Sequence, residues 1–303
     1  MKKYLFLMLF CVPSFASELT VYFIPSKAID WSSPKALLMS GAKSYFSRHA
    51  FGFAWVELTC GGVSQISAVE GDSPSYFTEL FWNGSGLGIL YHTFNGRMVA
   101  EDDIKSIKEM ALKDGQLRFV RFGLNEGQCK RAETYLNEFE KNKVQKNFGL
   151  AHRPRYGEGA NSISYAVSSI DVLNLIDQEM KEAWPENLNL PLEFIGHPLK
   201  NESVSIFTLF SRSSWAGDQE KYQILAFWNP DRMTKWINQK VAKKSSQEYS
   251  VVKLETATGV YFDKSYLPAP QEPIWKQQLD PHDKTKTAVP VPPKRLPRRD
   301  SQE

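Results

Sequence analysis

The chain has 303 residues, a formal charge of +3 and 42% hydrophobic residues, among them 19 Phe, 12 Tyr and 8 Trp. This aromatic content can fill a substantial core, and the near-neutral charge carries no electrostatic footprint of a nucleic-acid partner. The length allows one or two domains.

Lys2 and Lys3 precede an apolar stretch from Tyr4 to Phe15, and Ser14 and Ala16 stand where a small-residue cleavage site needs them. The pattern predicts a signal peptide over residues 1–16 and a mature chain from Ser17, extracytoplasmic in location, whether periplasmic or secreted. Losing both lysines takes the formal charge from +3 to +1. A spanning helix needs about 20 apolar residues. This stretch is shorter and contains Pro13, and no later segment qualifies. Bulky Phe10 before Cys11 departs from the small-residue pattern of lipoprotein signals, so Cys11 should leave with the signal.

Glu18–Pro25 is a β-rich run ended by proline, the mark of a first strand. In His49–Leu58, strand alternation puts His49, Phe51, Phe53, Trp55 and Glu57 on one face. Cys60-Gly61-Gly62 then signals a turn into a strand at Gln65–Val69. Leu87–Phe94 predicts another strand, with Asn95-Gly96 as a hairpin turn into Arg97–Ala100. Glu101-Asp102-Asp103 favours a helix start through the dipole. Gln116–Gly123 alternates as a half-buried strand, and Asn125 with Gln128 forms a capping-box pattern for a helix to about Asn142.

Cys129 lies on the apolar stripe of that helix with Ala132, Leu136 and Phe139. Either it is an unpaired core thiol, or it pairs with Cys60 in an oxidising compartment. The polar segment RPRYGEGAN leads to a second amphipathic helix near Ser162, with Ile163, Ala166, Val167, Ile170 and Leu173 on one side. Val204–Phe210 and Tyr222–Trp228 read as strands. Asn229-Pro230-Asp231 opens a helix containing Met233, Trp236 and Ile237, and Val251–Leu254 and Val260–Phe262 finish the folded body.

The expected fold is α+β, an antiparallel sheet packed against helices near 126–142 and 162–176. Residues 17–267 form one body, with 190–266 as its extension. Eight of the 17 prolines lie from Pro268 onward, with Lys294, Arg295, Arg298 and Arg299 near the end. Residues 268–303 are therefore expected to be a disordered, basic tail, either solvated or touching an acidic surface such as cell-wall polymer or phospholipid.

Candidate chemistry is sparse. His49, His92, His152 and His197 lack the short spacing of metal motifs, so no metal and no cofactor site is expected. Gly84-Ser85-Gly86 lacks the lysine and helix of a phosphate loop. His92 suits packing against aromatics and His197, before Pro198, a turn. His152, Arg153 and Arg155 read either as a solvated loop or as a small anion-attracting one.

One constellation stands out: His49 opening a strand, then a strand and capped helix, then Asn161-Ser162-Ile163-Ser164-Tyr165 at a helix head. This order resembles the circularly permuted papain-like, or NlpC/P60-type, superfamily, in which a histidine strand precedes an Asn-Cys-x-x-aromatic helix start. Leu124-Asn125-Glu126-Gly127-Gln128 is similar to the middle element of its permuted bacterial branch, with one residue inserted. The resemblance covers about residues 45–176 and implies amide or ester substrates, with His49 and the helix-head residue as the catalytic pair.

Ser162 stands where that family has cysteine. A helix N-terminus helps ionise a thiol with pKa about 8.5, whereas a serine depends on a general base within about 2.6–3.2 Å. A third polar group should orient the imidazole. Glu57 is too far along the strand, leaving Gln65, Ser67 or His92. Three readings follow: a degenerate site that binds a cell-envelope peptide, glycan or lipid; a hydrolase or acyltransferase using Ser162 and His49; or an Asn161–Ser162 pair that only caps a helix.

Overall fold

The computed structural model describes residues 17–26, 29–44, 51–72 and 84–277. The expected signal peptide, the histidine at 49 and the chain beyond 277 lie outside the described residues.

Strand β1 (Ser17–Ile24) lies between β2 (Phe53–Cys60) and β6 (Arg118–Leu124), antiparallel to both. Hairpin strand β3 (Val63–Ser67) flanks β2 after a turn at Gly61-Gly62. On the other side, β11 (Ala257–Asp263) runs parallel to β6 and carries β10 (Ser250–Leu254) at the edge. The six-stranded order is therefore β10-β11-β6-β1-β2-β3. Mixed α+β architecture with a mainly antiparallel sheet is established, and the last strands belong to the main sheet.

Both faces of this sheet are covered, which is why β1 is buried from Leu19 to Ile24. One face presents Tyr22, Phe53, Trp55 and Phe119 to helix α2 (Glu101–Lys113), through its Ile104, Ile107 and Leu112. The Tyr22 and Trp55 rings stack at 4.9 Å. The opposite face presents Val21, Phe23, Val56, Leu58, Val120 and Phe122 to three helices: α3 (Glu126–Lys141), α4 (Ser162–Asp171) and α7 (Pro230–Lys243). Alternate residues thus serve two cores, and a large side chain of this kind contributes roughly 1.5–3 kcal/mol when fully buried.

Two smaller sheets complete the body. Strands β4 (Val69–Gly71), β5 (Phe94–Met98) and β7 (Asn147–Phe148) form one, and β8 (Pro185–Pro191) with β9 (Tyr222–Trp228) forms the other. Shorter helices are α1 (Pro34–Ser44), α5 (Gln178–Ala183) and α6 (Ile206–Phe210). Among the described residues, no helix is long and apolar enough to cross a membrane.

Four expected elements differ. The strand expected from His49 begins at Phe53: Phe51 is exposed in a turn and Gly52 has φ of 84°, so the alternation does not reach back past Phe53 among the described residues. Residues Leu87–Tyr91 form a 3₁₀ turn, and the strand begins at Phe94 and runs straight through Asn95-Gly96. Gly96 is there because a side chain would strike the Gln145 carbonyl of the neighbouring segment, not because the chain turns. Val204–Phe210 is not a strand: the Ser205 hydroxyl accepts from Phe207 N and caps α6. Short apolar runs carry too few residues for periodicity to separate the two states. The expected loose chain does not begin at 268. Residues 264–277 lie along α3 and α4, held by side-chain hydrogen bonds to their carbonyls.

Candidate functional site

Helix α4 starts after Asn161, which caps it. Asn161 Oδ1 accepts from Ser164 N at 2.8 Å and Asn161 N donates to Ser164 Oγ at 3.0 Å, a reciprocal capping box. Ser162 is the first helical residue, 6% exposed, and its hydroxyl takes no part in that box. The first turn contains no acid, so no side-chain carboxylate there offsets the positive end of the helix dipole.

The direction of α4 follows from three contacts with α3. Arg131 Nε donates to the Val172 carbonyl at 2.7 Å, the Tyr135 and Ser168 hydroxyls are 2.6 Å apart, and the Phe139 and Tyr165 rings are 4.6 Å apart. Moving forward along α3 is moving backward along α4, so the helices are antiparallel. A disulfide joins Cys129, in the first turn of α3, to Cys60 at the end of β2, which settles the open alternative for these cysteines. The tail end of α4 is therefore level with the end of β2. Further along, the Tyr165 hydroxyl meets Ser67 Oγ at 2.8 Å, and Ser67 lies opposite Val56. Ser162 is about one turn, ~4.5 Å, beyond Tyr165. The helix head thus points to the side from which β2 begins at Phe53. His49, four residues upstream of Phe53 in the sequence, lies outside the described residues.

The segment entering this helix is ordered by its own side chains. Gly159 has φ of 132° and passes so close to Asn147 that any side chain would strike the Asn147 carbonyl. Ala160 N then donates to that carbonyl at 2.9 Å. Arg153 forks onto Glu158, with Nε 3.0 Å from Oε2 and Nη2 2.5 Å from Oε1, and its guanidinium lies over the Tyr156 ring. Arg155 is 3% exposed and binds Asp171 and Glu272. Both arginine charges are balanced internally, which argues against an anion-attracting loop.

The expected third group is not singled out. Ser67 is engaged with Tyr165, and Gln65 lies opposite Leu58, towards the Cys60 end. His92 has its ring 4.7 Å from Phe94 and Nδ1 3.0 Å from the Thr93 carbonyl oxygen. Thr93 Oγ1 stands 2.9 Å from His152 Nε2, a pairing that nothing in the sequence spacing announced. Burial pushes the Tyr135 and Tyr165 hydroxyls well above the ordinary phenol range, so both stay neutral. Among the described residues, no cluster of three or more His, Cys, Asp or Glu is placed to hold a metal ion.

Sequence reasoning missed the buried Arg155. A hint lay in the tail, where Glu272 and Trp275 interrupt an otherwise Pro-rich polar stretch. No protein-family model, no curated protein and no solved structure matches the chain.

Proposed function

We propose that the protein is an exported, permuted papain-like protein that binds a cell-envelope peptide, glycan or lipid in a cleft at the head of the Ser162 helix, its catalytic site being degenerate. The observation that carries this reading is the direction of α4. Its head faces the side of the sheet where β2 begins, and His49 precedes β2 by four residues in the sequence. The Cys60–Cys129 disulfide supports an oxidising compartment and hence export. Serine at the helix head supports binding over catalysis, because a helix terminus that stabilises a thiolate does far less for a hydroxyl of much higher pKa.

The second reading, hydrolysis or acyl transfer by Ser162 with His49 as general base, draws support from one feature. The capping box uses Asn161 and Ser164 and leaves the Ser162 hydroxyl outside it. A fluorophosphonate probe separates the two. The binding reading expects no labelling of the folded protein, together with cosedimentation on purified cell-wall sacculi or anionic vesicles that weakens in Ser162→Trp. Labelling abolished by both Ser162→Ala and His49→Ala would overturn it in favour of the enzyme.

A further inference from the structure

The chain leaves β11 and does not drift away. Lys264 N donates to the Gly123 carbonyl at 3.0 Å, and Gln128 Nε2 donates to the Lys264 carbonyl at 3.1 Å. Asn125 Nδ2 then donates to the carbonyls of Ser265 and Leu267, at 2.9 and 2.7 Å. Arg131 Nη2 donates to the Glu272 carbonyl at 2.7 Å, and Trp275 Nε1 donates to Glu138 Oε2 at 2.6 Å with its ring 5.3 Å from Tyr135. Residues 264–277 are thus strapped along the outside of the α3/α4 pair.

The far end of the strap grips the segment that leads into Ser162. Arg155 donates from Nε to the Ile274 carbonyl at 3.0 Å, from Nη2 to the Pro273 carbonyl at 2.8 Å, and to Glu272 Oε1 at 3.1 Å. In return, Lys276 N donates to the Arg155 carbonyl at 2.8 Å. The strap therefore supplies a counter-charge and backbone acceptors to a guanidinium that is 3% exposed. Asp171 stays on Arg155 Nη1, with Oδ2 at 2.9 Å, but loss of the strap removes Glu272 and both backbone acceptors from a buried charge, which weakens the hold on the 153–161 segment. The strap itself is lightly built. Leu267, Ile274 and Trp275 are its apolar anchors, while Tyr266 is 72% exposed. It supplies no strand to the six-stranded sheet and joins it through one bond, Lys264 N to the Gly123 carbonyl, so the rest of the strap can detach with the strand pairing intact.

We infer that residues 264–277 are a releasable latch that holds the 153–161 segment, and with it the head of α4, so that a partner pulling on the C-terminal tail changes access to Ser162. The latch rests on the contacts above, and only its consequence for Ser162 rests on the proposed cleft.

Hydrogen exchange on the full chain tests it, comparing wild type with Glu272→Gln and Trp275→Ala. Both variants should speed exchange of the 153–161 amides at least tenfold, leaving β1 and β6 amides unchanged, and tryptic cleavage after Lys264 and Lys276 should rise in parallel. Unchanged 153–161 exchange in a variant whose strap is cleaved faster would overturn the latch, and so would an equal rise in β1 and β6, which is only global loosening. If Trp275→Ala does not fold, Glu272→Gln decides alone, because it alters the charge and leaves the anchors. Iodoacetamide alkylation in a Ser162→Cys background reads the cleft separately. Faster alkylation with faster exchange supports both ideas, whereas faster exchange with constant alkylation keeps the latch and removes the cleft.

Discussion

Cys60 and Cys129 are disulfide-bonded with Cα atoms 5.9 Å apart, so the end of β2 and the first turn of α3 are covalently one unit. The bond closes a loop between residues 69 apart in sequence. In the chain-entropy account, a loop of that length stabilises the fold by about 4 kcal/mol. Cys60→Ala combined with Cys129→Ala should therefore lower the unfolding free energy by about 3–4 kcal/mol in urea, and dithiothreitol should destabilise wild type but not the double variant.

The capping box separates structural from chemical roles at the helix head. Asn161→Ala removes the acceptor of Ser164 N and should destabilise by about 1 kcal/mol. Ser162→Ala leaves both capping bonds in place and should cost less than Asn161→Ala. Chemical denaturation of the two variants checks this. A larger loss in Ser162→Ala than in Asn161→Ala would show that Ser162 is held by contacts of its own.

Tyr165 and Ser67 form a buried hydroxyl pair between α4 and the edge of β3. Tyr165→Phe strands the Ser67 hydroxyl away from water and should cost about 1–3 kcal/mol. Adding Ser67→Ala removes the stranded group, so the double variant should be more stable than Tyr165→Phe alone. That non-additivity, measured in a double-mutant cycle, is the signature of the bond.

Acid should weaken one specific contact. Partial burial pushes the Glu179 carboxyl up, but hydrogen bonds from Lys240 and Trp236 and the Lys240 charge together hold it below its ordinary value of 4.5. Since the folded value is the lower one, the stability this adds is fully present above pH 4.5 and is lost as pH falls through the folded value. Glu179→Gln should be less stable than wild type at neutral pH, and the gap should close in acid. Urea midpoints for both proteins at about pH 7 and about pH 3 read the difference.

Much of the local structure is legible in the sequence. The Asn125–Gln128 capping box, the strand at Tyr222–Trp228 and the helix opened by Asn229-Pro230 all stand as the residues imply. Each depends on groups within a turn or on side-chain alternation, which sequence order states directly. The α1 helix and β8 were missed. α1 is mixed in polarity and its first turn has no acid, while β8 begins and ends with proline, which reads as a breaker.

What the sequence determined alone was therefore the inventory: an α+β set of elements, a capped helix with serine at its head, and two cysteines free to pair or not. Tertiary structure decided their relations. It bonded Cys60 to Cys129, ran α4 antiparallel to α3, and turned a stretch of the Pro-rich tail into a strap whose Glu272 meets Arg155 at 3.1 Å. The physical reason is range. A cap or an amphipathic stripe is closed by neighbours along the chain. A buried guanidinium finding its carboxylate more than a hundred residues away depends on how two cores pack on one sheet, and no local pattern carries that distance.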